Sequence, residues 1–146
     1  MSFPRVGVIG AGQLARMMAV PASDLAIDFK VFAAIPNDSA AQVSHFVLGD
    51  YTNIDSILEF AKSCDVLTFE HELVPQSVIK AVEAAGIKVY PQSESFTYSQ
   101  DKLEMRMKIA ELNLPNPKWQ KYQGEGCEIG FPLIAKLPSG GYDGRG

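Results

Sequence analysis

Short apolar runs alternate with longer amphipathic stretches over the first ninety residues of this chain. The apolar runs have the length of buried strands, and the stretches between them repeat apolar residues at helical spacing. Strands separated by helix-length segments are typical of an α/β fold with a doubly wound parallel sheet. The predicted strands are 5–9, 29–34, 45–48, 65–69 and 89–90, and the predicted helices are 13–20, 40–43, 53–62 and 74–85.

The pattern changes beyond Pro91. A polar helix is predicted over 99–112, with Ser99 or Asp101 as its N-cap. The prolines that follow end this helix, and two short strands, 119–122 and 131–135, are expected after them. We therefore predict two domains, 1–95 and 96–146, of which the second is too short to fold alone.

Composition limits the classes of protein to which the chain can belong. With 47% hydrophobic and 21% charged residues, it is typical of a globular domain. A net charge of −4 gives no basic surface for nucleic acid. The N-terminus does not resemble a signal peptide, and no apolar run reaches the ~20 residues of a membrane span, so we expect a cytoplasmic protein. Cys64 and Cys127 have no metal-type spacing and are interpreted as free thiols.

The first candidate site is Gly10-Ala-Gly-Gln-Leu-Ala15, between the first strand and the first helix. It matches the glycine fingerprint of dinucleotide-binding folds, in which a helix N-terminus faces an anionic ligand. A nicotinamide site is disfavoured, because the second strand is followed by no carboxylate before Asp38. Two interpretations stay open: the loop binds another phosphorylated ligand, or its glycines only pack the strand against the helix.

The second candidate site is Glu70-His-Glu72, which follows the fourth strand. The carboxyl ends of parallel strands meet at one edge of the sheet, so both carboxylates are expected in the crevice of the glycine loop. There they could accept hydrogen bonds from ribose hydroxyls or from an amine. The alternative is that they only begin a helix. His71 lacks further ligands for a metal site, and His45 is expected to lie partly buried in a strand.

The third candidate site is basic. Lys136 follows an apolar run and precedes a loop with glycines at 140, 141, 144 and 146. Glycines allow backbone N–H groups to approach phosphate oxygens, and the lysine adds a positive charge. Lys102 alone is interpreted as a surface charge.

Taken together, four motifs resemble the carboxyaminoimidazole ribonucleotide synthases, ATP-grasp ligases of de novo purine synthesis. The motifs are Gly10-Ala-Gly-Gln-Leu-Ala-Arg-Met17, Cys64-Asp-Val-Leu-Thr-Phe-Glu-His-Glu72, Gln100-Asp-Lys102 and Gly140-Gly-Tyr-Asp-Gly-Arg-Gly146. The resemblance implies a Rossmann-like N-terminal (pre-ATP-grasp) domain followed by the beginning of an ATP-grasp domain.

By the same resemblance, bicarbonate is joined to 5-aminoimidazole ribonucleotide while ATP is cleaved to ADP and phosphate, with magnesium ions. A homodimer is possible. The implied substrate-binding residues are Gly12, Gln13, Leu14, Glu70 and Glu72. The implied ATP-binding residues are Lys102, Lys136, Gly141, Tyr142, Asp143, Gly144, Arg145 and Gly146. No metal ligand and no catalytic residue is assigned in this chain.

The chain departs from the family pattern in two ways. Ala11 and Ala15 replace glycines usual in the first loop, and Ala33 and Ala34 stand where relatives often carry an acid. The metal ligands and the adenine pocket of relatives lie downstream of the positions that match this chain, so we expect a fragment without ligase activity of its own. Two alternatives stay open: a formate-dependent glycinamide ribonucleotide transformylase, and a non-catalytic nucleotide-binding module or gene remnant.

Overall fold

A computed structural model of the chain describes residues 3–124 and 126–140. The chain divides into two compact units, one ending at Ser93 and the other beginning at Glu94. Among the helices of the described residues, none is both long and apolar enough to cross a bilayer.

The first unit is built on a four-stranded parallel sheet with the strand order β3-β2-β1-β4. The chain runs outward from β1 to β3 on one side and then returns to β4 on the other side of β1. The strand order therefore reverses between β1 and β4, which confirms the predicted doubly wound α/β fold. The strands are β1 (Arg5–Ile9), β2 (Asp28–Ala33), β3 (His45–Leu48) and β4 (Val66–Phe69).

The core of the first unit lies on both faces of this sheet. On one face, Val8 of β1 packs in a cluster with Val31, Ala15 and Ala40. On the other face, Phe32 of β2 contacts Phe60 edge to face, with ring centroids 5.4 Å apart. The helical elements are α1 (Gln13–Asp24), a 3₁₀ turn (Ala40–Gln42), α2 (Ile54–Lys62) and α3 (Gln76–Ala84).

Most predicted boundaries in the first unit are within two residues of the observed ones, but two predicted elements differ more clearly. Helix α1 was expected to stop at Pro21 but continues to Asp24. Pro21 has no N–H donor, but its carbonyl still accepts from the Leu25 amide at 3.0 Å, so the hydrogen bonds of the helix continue beyond it. The predicted strand 89–90 is a single bridge between Leu67 and Val89, and Pro91 has no N–H with which to extend a ladder.

Strand β3 lies at the edge of the sheet formed by the described strands. His45, predicted to be partly buried, is exposed, and so are Phe46, Val47 and Leu48. An edge strand has a neighbour on one side only, so its residues lose less contact with water than those of β1.

The helix predicted over 99–112 is instead two helices, α4 (Ser93–Gln100), which begins at the last residue of the first unit, and α5 (Lys102–Glu111). Asp101 separates them, and its carboxylate accepts the amides of Leu103 at 2.8 Å and Glu104 at 3.0 Å. Of the two predicted N-caps, Ser99 and Asp101, it is Asp101 that caps α5. The strands expected at 119–122 and 131–135 are not formed in the described residues, because a strand needs a partner for its ladder.

Candidate functional site

The candidate site lies at the carboxyl edge of the sheet, where β1 and β4 end. The Glu70 amide donates to the Ile9 carbonyl at 3.0 Å, and the Gly10 amide donates to the Phe32 carbonyl at 3.0 Å. These bonds hold the segment after β4 beside the glycine loop after β1. Ligands of open α/β sheets bind at this edge, at the point where the strand order reverses.

The Glu70 carboxylate caps the N-terminus of α1 from a distance of 58 residues along the chain. Its Oε2 accepts the Gly12 amide at 2.5 Å, and its Oε1 accepts the amides of Leu14 at 3.1 Å and Ala15 at 3.4 Å. Helix α1 has no side-chain cap at Gly12 and no acidic residue in its first turn. Glu70 therefore supplies the anion that favours a helix N-terminus.

The two glycines of the loop make room for this carboxylate. A Cβ at Gly12 would lie 2.5 Å from Glu70 Oε1, and a Cβ at Gly10 would lie 2.8 Å from both Cβ and Oε2 of Glu70. Gly10 also has a φ of +105°, which side chains rarely adopt. The fingerprint thus has a physical reason that neither interpretation of the sequence included: the loop is shaped around a glutamate of the same chain.

This geometry determines what the crevice can bind. The sequence left open whether this loop binds a phosphorylated ligand or only packs the strand against the helix; in the structure the amides of Gly12, Leu14 and Ala15 already bind an anion of the chain itself. A carboxylate has about four lone-pair positions, so Glu70 keeps capacity to accept from a further donor. The arrangement therefore suits a ligand that presents hydroxyl or amine groups to Glu70.

The other substrate-binding residues predicted from the sequence lie near this centre. Gln13 is exposed at the start of α1, and its Oε1 accepts the Ser39 hydroxyl at 3.1 Å. Leu14 contributes its amide to Glu70, and its side chain is exposed. Glu72 is half-buried and takes no part in the three bonds to α1.

Sequence reasoning missed the segment after β2, which supports the glycine loop. The Ala40 amide donates to the Ala11 carbonyl at 2.7 Å. The Arg16 guanidinium donates to the Ser39 carbonyl at 3.0 Å and to Gln42 Oε1 at 3.2 Å. The signal that could have located it is the rule that ligands bind at the carboxyl ends of strands, because Ser39 and Ala40 lie in the connection that follows β2.

The segments after β3 and β4 also meet. The ring of His71 contacts Tyr51 edge to face at 5.3 Å, and its Nδ1 accepts the Leu73 amide at 3.2 Å. Next to Tyr51, the hydroxyl and amide of Thr52 bind the Asp50 carboxylate and lower its pKa. Within residues 3–124 and 126–140, no three His, Cys, Asp or Glu side chains are grouped so that they could hold a metal ion.

In the second unit, the structure brings Lys102 to the loop that follows Lys136. The Lys102 amide donates to the Pro138 carbonyl at 2.8 Å, and its Nζ donates to the Gly140 carbonyl at 2.6 Å. Lys136 itself is exposed. The predicted ATP-binding residues Gly141, Tyr142, Asp143, Gly144, Arg145 and Gly146 lie outside the described residues.

Comparison with known proteins agrees with this architecture. Residues 3–100 match the family model described as the ribonucleotide synthetase preATP-grasp domain. The N5-carboxyaminoimidazole ribonucleotide synthase of Corynebacterium ammoniagenes is 39% identical over 98% of this chain and 36% of its own length. The corresponding Mycobacterium tuberculosis protein is 34% identical over 98% of this chain and 35% of its own length. The chain therefore spans about a third of the length of these curated relatives.

Solved structures show the same fold. The N5-carboxyaminoimidazole ribonucleotide synthetase of Thermus thermophilus has a TM-score of 0.72 and 29% identity, over 77% of this chain and 31% of its own. The N5-carboxyaminoimidazole synthase of Aspergillus clavatus, solved in complex with ADP and 5-aminoimidazole ribonucleotide, has a TM-score of 0.70 and 31% identity, over 77% of this chain and 30% of its own.

The fold and the family match define the class: an α/β domain of the pre-ATP-grasp type. The chain belongs to the ribonucleotide synthetase preATP-grasp domain family. The predicted resemblance to the carboxyaminoimidazole ribonucleotide synthases is confirmed, and the extent of the matches fits an N-terminal portion of such a protein.

Proposed function

We propose that this chain is the N-terminal portion of an ATP-dependent ligase that carboxylates 5-aminoimidazole ribonucleotide with bicarbonate. The products are N5-carboxyaminoimidazole ribonucleotide, ADP and phosphate. The observation that carries the proposal is the Glu70 carboxylate, fixed by the α1 amides at the carboxyl edge of the sheet. A crevice that presents a fixed carboxylate suits the hydroxyl-bearing ribose of a ribonucleotide.

In this proposal, Glu70 accepts hydrogen bonds from the ribonucleotide, and Gly12, Gln13 and Leu14 form the adjoining wall. Because the α1 amides hold both carboxylate oxygens, Glu70 needs no rearrangement to receive a donor, which lowers the entropic cost of binding. Glu72 is proposed as a further contact of lower importance, since it does not take part in the bonds that position Glu70.

The ATP phosphates are assigned to Lys102, Lys136 and residues 141–146. The bond between Lys102 Nζ and the Gly140 carbonyl supports this assignment, because it holds a cation directly before the glycine-rich segment. Cations and backbone amides stabilise the charge of a transferring phosphoryl group. ATP supplies that phosphoryl group when it is bound.

Magnesium and bicarbonate follow from the proposed reaction, and no residue of this chain is assigned to either. We also propose a cytoplasmic location and a homodimer. The apolar edge strand β3 is compatible with self-association, and sedimentation velocity of the purified chain tests it.

The test of the proposed function is ADP release from the chain expressed together with the reading frame that continues it. We expect release that requires 5-aminoimidazole ribonucleotide and bicarbonate. Release that instead requires glycinamide ribonucleotide and formate would identify the transformylase, and no release with either pair would favour a binding module. The 146-residue chain alone is expected to release no ADP above a blank.

A matched pair of variants connects this activity to the described site. Glu70→Gln in the longer protein is expected to raise the KM for 5-aminoimidazole ribonucleotide about tenfold or more and to leave the KM for ATP unchanged. Asp24→Asn, at the far end of the same helix, is expected to change neither value. Equal effects of the two variants would refute the role assigned to Glu70.

A further inference from the structure

The glycine loop has the sequence pattern of a dinucleotide-binding fold, but the anion bound to its amides is not a ligand phosphate. In such folds the pyrophosphate of the ligand lies at the helix N-terminus after the first strand. Here the carboxylate of Glu70 binds the amides of that helix. We propose that Glu70 is a permanent internal anion that closes the N-terminus of α1 to phosphate groups.

The hydrogen bonds support this exclusion. The amides of Gly12, Leu14 and Ala15 would be the donors for a phosphate, and Glu70 uses all three. A phosphate brought to the same amides would also meet a negative charge at contact distance, and like charges repel strongly where water is partly excluded. A neutral donor group meets no such repulsion.

The shape of the loop supports the same conclusion independently. The three atoms nearest to a Cβ built on Gly12 all belong to Glu70, at 2.5, 3.2 and 3.2 Å. At Gly10, the two nearest atoms also belong to Glu70. In dinucleotide-binding folds the second glycine lets the backbone approach the pyrophosphate. In this chain the space beside Gly12 holds the glutamate.

The exclusion determines how a ligand can enter the crevice. A ligand with both hydroxyl groups and a phosphate can place only its hydroxyl end against Glu70, with the phosphate away from α1. For a ribonucleotide this consequence rests on the proposed function. The exclusion of phosphate from α1 does not, because it depends only on the contacts of this chain.

The test is a titration of the ¹⁵N-labelled chain with inorganic phosphate and, separately, with NAD, observed by amide chemical shifts. In the unmodified chain, we expect no saturable shift of the Gly12, Leu14 and Ala15 amides with either probe. In Glu70→Ala, we expect saturable shifts of the same amides with phosphate. Asp24→Ala removes one carboxylate from the other end of α1 and is expected to behave as the unmodified chain does.

Two results would overturn the proposal: saturable shifts of these amides in the unmodified chain, or a folded Glu70→Ala chain that shows none. If Glu70→Ala does not fold, the titration of the unmodified chain decides alone. A purely structural role of Glu70 predicts loss of stability without any gain of phosphate binding. The titration needs no substrate and no ADP release, so it can fail or succeed independently of the proposed function.

Discussion

The two units differ in what holds their helices in place. In the first unit, α1, α2 and α3 each contribute buried residues, such as Ala15, Ile57 and Val78. In the second unit, Phe96 is the one buried residue among those described, and α5 has none. Phe131 and Ile134 are 88% and 82% exposed. The second unit therefore has helices without a core.

This difference shows which structures require long-range contacts. Helix α5 forms from local signals, namely the Asp101 cap and the Lys108–Glu111 ion pair three residues apart. A strand has no comparable local source of hydrogen bonds. Accordingly, the first unit has a sheet, whereas the described part of the second has helices and no strand.

The largest expected effect compares two isoleucines. Ile57→Ala, at a fully buried site, should lower the free energy of unfolding of the first unit by about 2–5 kcal/mol, because it leaves a cavity. Ile134→Ala, at an exposed site of the second unit, should change it by less than about 0.5 kcal/mol. Urea unfolding monitored by amide exchange of β1 measures both. Equal costs would mean that the contrast in burial is wrong.

The next comparison is between the two carboxylates that cap helices, Glu70 at α1 and Asp101 at α5. Glu70→Ala leaves three amides of α1 without their acceptor, and we expect a loss of about 2–3 kcal/mol. Asp101→Ala removes a local cap of α5 and should cost about 1 kcal/mol of the stability of that helix. Amide exchange of the two helices, measured in each variant, separates the effects. A larger loss for Asp101→Ala would reverse the expected order.

The third comparison is between Gly12, which lies against Glu70, and Gly126 of the second unit. Gly12→Ala should destabilise the first unit by about 1–3 kcal/mol, because its Cβ would overlap the Glu70 carboxylate. In a Glu70→Ala background the same change should cost less than about 0.5 kcal/mol, which a double-mutant cycle measures.

Gly126→Ala is the control for this cycle, since a methyl group added there would meet nothing within 4 Å and the residue belongs to the second unit. It is expected to be neutral in both backgrounds. If Gly12→Ala were equally costly with and without Glu70, then Glu70 would not be the reason for the glycine.

The two cysteines should differ in reactivity. Burial raises the pKa of the Cys64 thiol, whereas Cys127 in the second unit is only half-buried. With a thiol reagent we expect Cys127 to react at least about tenfold faster than Cys64, because Cys64 becomes accessible only when the structure opens locally. Mass spectrometry should identify the fast site as Cys127, and both sites should react in urea. Fast modification of Cys64 would contradict its burial.

The smallest effect concerns the ion pair between Arg5 and Asp65, which joins β1 to the start of β4. The hydrogen bonds from Arg5 lower the pKa of Asp65 to about 2. Because the pKa is lowered in the folded state, the ion pair makes its full contribution to the stability of the fold above the ordinary carboxyl range. This contribution is lost as the pH falls from about 4 to about 2. Asp65→Asn should therefore flatten the acid limb of stability against pH.

Arg5→Gln is the matched variant for this pair and should flatten the same limb. The double variant should flatten it no further than Asp65→Asn alone, whereas Arg5→Gln alone should flatten it less, because it keeps the bond from the backbone amide of residue 5 to Asp65. Because the pair is exposed, the change should be small at any pH. A steeper acid limb in Asp65→Asn would show that the sign of the pKa shift is wrong.

The sequence predicted what local or periodic signals encode. The apolar runs located β1 and β3, and Gly86, with its φ of +76°, follows α3 shortly after its last residue, where helices commonly end in a glycine. The candidate site was predicted from the rule that open α/β sheets bind ligands at the carboxyl ends of their strands. The bond between Glu70 and Gly12 was not predictable, because the two residues are 58 positions apart and no sequence pattern specifies this contact. The strand expected at 131–135 was wrong because apolar composition does not provide a ladder partner.

The exposed edge strand β3 has a consequence for the purified protein in solution. Among the described strands, its backbone has one side open for strand addition, and the side chains of Phe46, Val47 and Leu48 are apolar and exposed. At high protein concentration, we expect copies of the chain to aggregate through this strand first. The rate of aggregation should therefore depend on the four residues His45–Leu48. A single lysine introduced in this strand should slow aggregation without altering the crevice at Glu70.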